Sequence, residues 1–301
     1  MRTEKTMTTA TLFAEPEWRV LRPEESVPLE RLCKRLADCL CVQPGPIPVE
    51  VLKALEEKGY DQAPVHDPTS RTYWGLVTTS HLRRLREEAL NLEPDDPHLS
   101  DPDKEFRVGS NTNIYQLLHR LSAQPAVMVI QELDATEYGH AQSSLGLFTF
   151  SDLNRHEIRG VLYRLFSDVE AGLSKVVQRW IQDPWDWIKV LGEDQQVRIL
   201  GYWELARRRD VDIGPLAAAT LSNLLVVIRM SRGILEGLGY YSDGAFREHT
   251  GSLPEFRNRI MHVVRPLVLD HDDVKKLYRA ARVLEMLRSR IEELEESSRQ
   301  C

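Results

Sequence analysis

Read for the spacing of apolar side chains, the first half of the chain alternates between two periods and the second half keeps one. Val51, Leu52 and Leu55 fall on one side of a helix predicted across Pro48–Lys58. An extended piece follows at Gln62–Val65, then a turn at Asp67–Ser70, a strand at Thr72–Val77 and a helix from Ser80 to about Leu90. The same order returns later. A helix at Ile114–Leu121 leads to a strand at Ala126–Ile130, a polar loop over Glu132–Ser144, a strand at Leu145–Thr149 and a helix after Asp152. An acidic, proline-rich connector, Glu93–Lys104, separates the two copies. The pattern is an internal repeat of roughly 60 residues.

From about His156 the period of two disappears. Helices are predicted at 156–180, 184–191, 194–209, 215–238, 253–265 and 271–297. Pro215 suits a first helical turn and Gly239 a helix stop. The chain thus divides into a polar arm at 1–17, a paired α+β module at 18–155 with copies at about 18–91 and 105–155, and an all-α helical bundle at 156–301. A short strand is expected around Trp18–Leu21.

Composition sharpens this division. An apolar share of 42% and a charged share of 28% place the chain among globular proteins. The net charge of −7 is uneven: residues 1–155 hold 17 Lys and Arg against 24 Asp and Glu, and residues 156–301 hold 22 of each. Neither half binds nucleic acid by bulk charge, so any RNA must meet a local basic patch. Cys33, Cys39, Cys41 and Cys301 form no paired CxxC set, which argues against a zinc site and for reduced thiols. The opening residues lack the apolar core of a signal peptide, and the longest aliphatic run, Leu224 to Ile228, is too short to span a bilayer. A cytoplasmic protein without membrane partners is expected.

In each repeat copy a strand carries Gly, an apolar pair and Thr: Gly75-Leu-Val-Thr-Thr-Ser-His81 and Gly146-Leu-Phe-Thr-Phe-Ser-Asp152. A threonine hydroxyl and a helix N-terminus just past a strand can meet a phosphate, and a carboxylate three residues on can take both ribose hydroxyls. An aspartate there also suits a simple helix cap. The tandem order and these strand ends resemble a pair of cystathionine β-synthase (CBS) domains. That resemblance implies an adenine nucleotide, ATP, ADP or AMP, as a regulatory ligand. Thr149 and Asp152 would hold it in the second copy and Thr78 in the first, where His81 replaces the acid.

The most informative stretch of the second half is Ser252-Leu-Pro-Glu-Phe-Arg-Asn-Arg-Ile-Met-His-Val-Val-Arg-Pro266. Ser252 with Glu255 reads as a capping box, and Pro266 should end or kink the helix. Asn258 and His262 are four apart and share a face, with Arg257 on an adjoining one. The bland alternative makes His262 a satisfied core histidine and Arg257 and Arg259 surface charges. Arg257-Asn-Arg-Ile-Met-His262 in an all-helical domain resembles the R-x4-H motif of HEPN-superfamily ribonucleases, although Val264 stands where some minimal toxin members have tyrosine.

The resemblance implies metal-independent endonucleolytic cleavage of RNA, leaving 2′,3′-cyclic phosphate and 5′-hydroxyl ends, in bacterial stress response or defence. His262 would be the acid or base, Arg257 the charge stabiliser and Asn258 the orienting amide, with Glu170 an acidic partner. It also implies a homodimer sharing one cleft, and no cofactor for catalysis. The alternative is a non-catalytic nucleotide-sensing dimer that binds RNA or a protein partner. Trp180, Trp185 and Trp187 read as core, Arg207–Arg209 as a solvated helix end, and 284–297 as an exposed or dimer-packing helix.

Overall fold

The computed structural model describes residues 25–35, 38–69, 72–99, 107–132 and 142–297. The arm at 1–17 and the strand expected near Trp18 lie outside them. The chain forms two compact units: one takes Ser26–Asn154 with Asp270–Lys275, and the other takes Glu25, Arg155–Leu269 and the chain from Lys276.

The first unit opens with β1 (Ser26–Pro28), α1 (Leu29–Leu32) and β2 (Lys34–Arg35). The first copy follows as β3 (Gly45–Pro46), α2 (Val49–Glu57), β4 (Gln62–Asp67), β5 (Thr72–Thr78), α3 (Thr79–Glu87) and β6 (Asn91–Leu92). The second is β7 (Arg107–Gly109), β8 (Asn111–Asn113), α4 (Ile114–Ala123), β9 (Ala126–Glu132), β10 (Gln142–Thr149) and a 3₁₀ turn, Phe150–Asn154. In both copies the central pair is an antiparallel hairpin that ends on the signature threonine: Gln62 faces Thr78, and Ala126 faces Thr149. The sheet of the second copy runs β2-β10-β9-β7, with β7 parallel to β9 and β2 antiparallel to β10.

Ala126, Val127, Met128 and Val129 of β9 are all buried, which explains the continuous apolar run of that strand. Successive residues of β5 point to opposite sides. Val77 enters a core with Val42, Leu52, Leu55, Val65, Leu82 and Leu92. Leu76 enters another with Ala126, Met128 and Leu147, and so joins the two copies.

The second unit is helical: α5 (His156–Trp180), α6 (Pro184–Ile188), α7 (Glu193–Arg208), a 3₁₀ turn at Pro215–Ala218, α8 (Leu221–Met230), α9 (Arg232–Gly237), α10 (Asp243–Thr250), α11 (Leu253–Met261) and α12 (His271–Ser297). The long α5 is the axis, with Ile158, Leu162, Phe166, Val169 and Leu173 buried, and α8, α9 and α11 pack against it.

Several expectations are corrected here. The single helix expected at 215–238 is three pieces, because Thr220 and Asn223 form a capping box that starts α8 and Ser231 is extended. The helix α10 was not anticipated; Ser242 starts it by accepting from the Ala245 N–H at 3.2 Å. Ser252 forms no cap hydrogen bond. Gly251 and Ser252 already have helical dihedrals after α10, and Glu255 pairs with Arg259 at 2.6 Å instead. The C-terminal helix is not an exposed tail: Leu284, Leu287 and Ile291 are buried. Trp187 is core at 1% exposure, but Trp180 and Trp185 stand half exposed.

Candidate functional site

The two signature threonines sit at equivalent strand ends but spend their hydrogen bonds differently. Thr78 is the N-cap of α3: its Oγ1 accepts from the His81 N–H at 3.2 Å and lies 3.1 Å from Ser80 Oγ. Beside it opens a cavity of about 630 Å³, lined by Glu56, Tyr60, Asp61, Thr78, Ser80 and Arg83 among others. Two hydrogen bonds of Thr79 fix its rim: its N–H donates to Asp61 O at 2.8 Å and its Oγ1 donates to Tyr60 O at 2.5 Å. The Arg83 guanidinium is held by Glu56 at 2.6 Å, and that hydrogen bond raises the Arg83 pKa above its ordinary value. Lys34 Nζ lies 5.2 Å from the centre of the Tyr60 ring. An aromatic ring, carboxylates, hydroxyls and the Arg83 guanidinium thus line one concavity.

His81, at the acid position of this copy, is turned away from solvent. Its side chain is buried, with Nε2 at 2.8 Å from Asp96 Oδ2 in the connector. Arg84 Nη2, which can only donate, is 3.1 Å from Nδ1. Nδ1 therefore accepts and Nε2–H donates to Asp96. Burial opposes charge on Asp96, but hydrogen bonds from His81 and from the His98 N–H hold its carboxyl below its ordinary pKa.

In the second copy Asp152 Oδ2 accepts from the Thr149 N–H and from Thr149 Oγ1–H, each at 2.9 Å. The pair closes the strand-to-helix turn on itself. Ribose hydroxyls would have to displace the Thr149 donors to reach that oxygen.

In the helical unit, Arg257 is half-buried and its Nη2 lies 3.5 Å from Glu170 Oε2 on α5. Asn258 and His262 are exposed. His262 is the C-cap of α11, and its N–H closes the last helical bond to Asn258 O at 3.0 Å. Helical geometry puts Arg257 and His262 about 140° apart around the axis, whereas Asn258 and His262 differ by about 40°. Glu170 and Arg257 therefore form one pair, and Asn258 and His262 another. Arg259 bridges Glu255 and the Leu267 carbonyl, the latter at 3.2 Å. Arginines 257 and 259 are thus partnered groups, and His262 is not a core residue.

Residues beyond the sequence motifs complete both places. Tyr60 and Asp61 at the first cavity are announced only by a Gly-Tyr-Asp run before β4, and Arg83 comes from α3 with no motif to mark it. In the helical unit, buried Arg159 of α5 donates from Nη1 to Arg259 O and from Nη2 to Arg265 O, a hundred residues away. Its desolvation lowers the guanidinium pKa. A second cavity of about 320 Å³ lies between Glu255, Asn258, Arg259, Arg265, Pro266 and Leu269. Among the described residues no group of three or more His, Cys, Asp and Glu is placed to hold a metal, and no helix is long and apolar enough to cross a membrane.

Searched by sequence, neither a protein-family model nor a curated relative matches. Solved structures do. A CBS domain of a bacterial CNNM/CorC family Mg2+ transporter, in complex with ATP, is 16% identical, covers 46% of this chain and 89% of its own, and gives a TM-score of 0.34. A CBS-domain hemolysin-like protein of Oenococcus oeni PSU is 16% identical, with coverage of 43% and 89% and a TM-score of 0.33. CbpB in complex with c-di-AMP is 15% identical, with coverage of 46% and 88% and a TM-score of 0.32.

Proposed function

We propose that the chain is a nucleotide-regulated, metal-independent endoribonuclease. The observation that carries this reading is the exposed Asn258–His262 face on a short helix whose Arg257 is oriented by the Glu170 carboxylate. In cleavage, His262 takes the proton from a ribose 2′-hydroxyl, whose oxygen attacks the adjacent phosphorus. The 5′-oxygen leaves with a proton, and a 2′,3′-cyclic phosphate remains. Arg257 balances the charge that builds on the phosphoryl oxygens, and Asn258 orients the imidazole or the phosphate.

A homodimer supplies a second histidine, so that one acts as base and the other as acid. Met261, Val263 and Val264, with exposures of 42%, 71% and 95%, flank His262 along the chain with apolar surface suited to a second copy. The regulatory ligand is an adenine nucleotide held by the paired module. The first-copy cavity with Thr78 has the size and mixed chemistry for it. Thr149 and Asp152 stand at the matching positions of the second copy, where they bond to each other.

One observation favours a second reading, a nucleotide-sensing dimer that binds RNA or a protein without cutting: Arg257 faces Glu170. The test is RNA cleavage in EDTA, with and without ATP, ADP and AMP, by wild type, His262→Ala and Arg257→Ala. The expected outcome is cleavage by wild type alone, with cyclic phosphate ends. A wild type inert under every nucleotide would leave only the binding reading.

A further inference from the structure

Three arginines lie between residues 257 and 265, and they are treated differently. Arg257 meets Glu170, and Arg259 meets Glu255. Arg265 is exposed, and among the described residues no carboxylate pairs with its guanidinium. Its backbone, in contrast, is fixed at both ends. The Arg265 N–H donates to His262 O at 2.9 Å, and its carbonyl accepts from buried Arg159. The same Arg159 guanidinium holds Arg259 O, so one buried cation grips the His262 turn on both sides. Burying a guanidinium is costly unless its donors are used, and here two of them are used on this turn. Arg265 is therefore anchored at its base and unpaired at its tip. It lies on the rim of the 320 Å³ cavity that also holds Asn258.

Resting on the ribonuclease reading, we infer that Arg265 anchors the substrate strand by pairing with a backbone phosphate of RNA in the cavity lined by Asn258, one helical turn before His262. A guanidinium grips phosphate through two parallel N–H donors, and pre-fixing its backbone reduces the ordering that binding requires. Pro266 and Leu269 give the cavity an apolar wall for a sugar or base, and the Asn258 amide offers a donor and an acceptor to the same nucleotide. Glu255 also lines the cavity, but its charge is met by Arg259. The partner is a polynucleotide phosphodiester, with Arg265 setting affinity and Arg257 and His262 acting on the bond that breaks.

The test uses full-length protein and a 2′-O-methyl RNA oligonucleotide, which cannot be cut because its 2′-oxygens are blocked. Binding is followed by fluorescence anisotropy across a salt series, for wild type, Arg265→Ala and Arg265→Lys. Because the Arg265 side chain is exposed and the clamp uses only its carbonyl, Arg265→Ala keeps the fold. The expected result is roughly tenfold weaker binding for Arg265→Ala and a slope of log K against log salt that falls by about 0.7, the single-strand value for one lost phosphate contact. Arg265→Lys should keep the slope. On cleavable RNA the same alanine variant should raise KM and leave kcat nearly unchanged.

Unchanged affinity and slope in Arg265→Ala overturn the inference, as does weaker binding of equal size with ATP as the probe. If the oligonucleotide binds through Arg265 and ordinary RNA stays intact, the inference stands and the ribonuclease reading fails. If RNA is cut with the same KM by wild type and Arg265→Ala, the reading stands and the inference fails. Absence of any RNA binding sinks both.

Discussion

The two strand-to-helix junctions of the repeat share a template and use it for different ends. Gly75 sits opposite Val65 at a bulge with φ of 141°, a backbone setting that L side chains rarely adopt. At Gly146 the constraint is space: β2 pairs so closely that a Cβ would collide with the Lys34 carbonyl oxygen. Thr78 caps a full α-helix, whereas Thr149 donates to Asp152 and leads into a 3₁₀ turn. His81 ties its helix to the connector through Asp96, while Asp152 is occupied locally. The lesson is that a repeated sequence signature marks equivalent backbone positions, not equivalent chemistry. The copy that keeps the acid uses it to close its own turn, and the copy that lost it opens onto a cavity.

This contrast can be broken most severely at His81. Replacing it by alanine removes a hydrogen bond to the Asp96 carboxylate, and the expected loss is about 1.5–3 kcal/mol in chemical denaturation. A loss under about 1 kcal/mol, the range of an exposed pair, would mean that the connector is not anchored there. The same pair predicts a pH effect. The folded-state pKa of Asp96 is lowered, so its stabilisation is complete above the ordinary carboxylate pKa and fades as pH falls through the lowered one. Asp96→Asn should flatten that acid limb; a limb of unchanged steepness would assign it to other carboxylates.

Next in size is Gly146→Ala, where backbone must move to admit the methyl group. A cost of about 1–3 kcal/mol is expected from overpacking. A melting temperature equal to wild type would show that β2 yields freely. The smallest effects sharpen the ligand question. Thr78→Val with Arg83→Ala should weaken adenine nucleotide binding about tenfold, or roughly 1.4 kcal/mol, in isothermal titration. Asp152→Ala should cost about 1 kcal/mol of stability as a lost cap, with affinity nearly unchanged. A larger affinity loss in Asp152→Ala than in the Thr78 and Arg83 variant would move the nucleotide to the second copy.

Much of the architecture was legible in the sequence where signals are local. The ends of α5 and α12 match the apolar period residue for residue, and both hairpins end on the threonines that the repeat marks. What stayed hidden depends on distance along the chain. Asp96 answers His81 from 15 residues on, and Arg159 reaches carbonyls a hundred residues away. Neither leaves a period or a spacing. The division of 215–238 was missed for a different reason: its apolar pattern runs on through Thr220 and Ser231, and only the cap and the extended dihedrals interrupt it.

The chain does not visit its two units one after the other. Residues Asp270–Lys275, which include the first turn of α12, count with the paired module, and His271 Nε2 lies 2.8 Å from Leu121 O of α4. A protease cut at the 154–155 junction would therefore release no self-sufficient half. The N-terminal fragment would lack the His271 turn, and the C-terminal one would carry it without its acceptor.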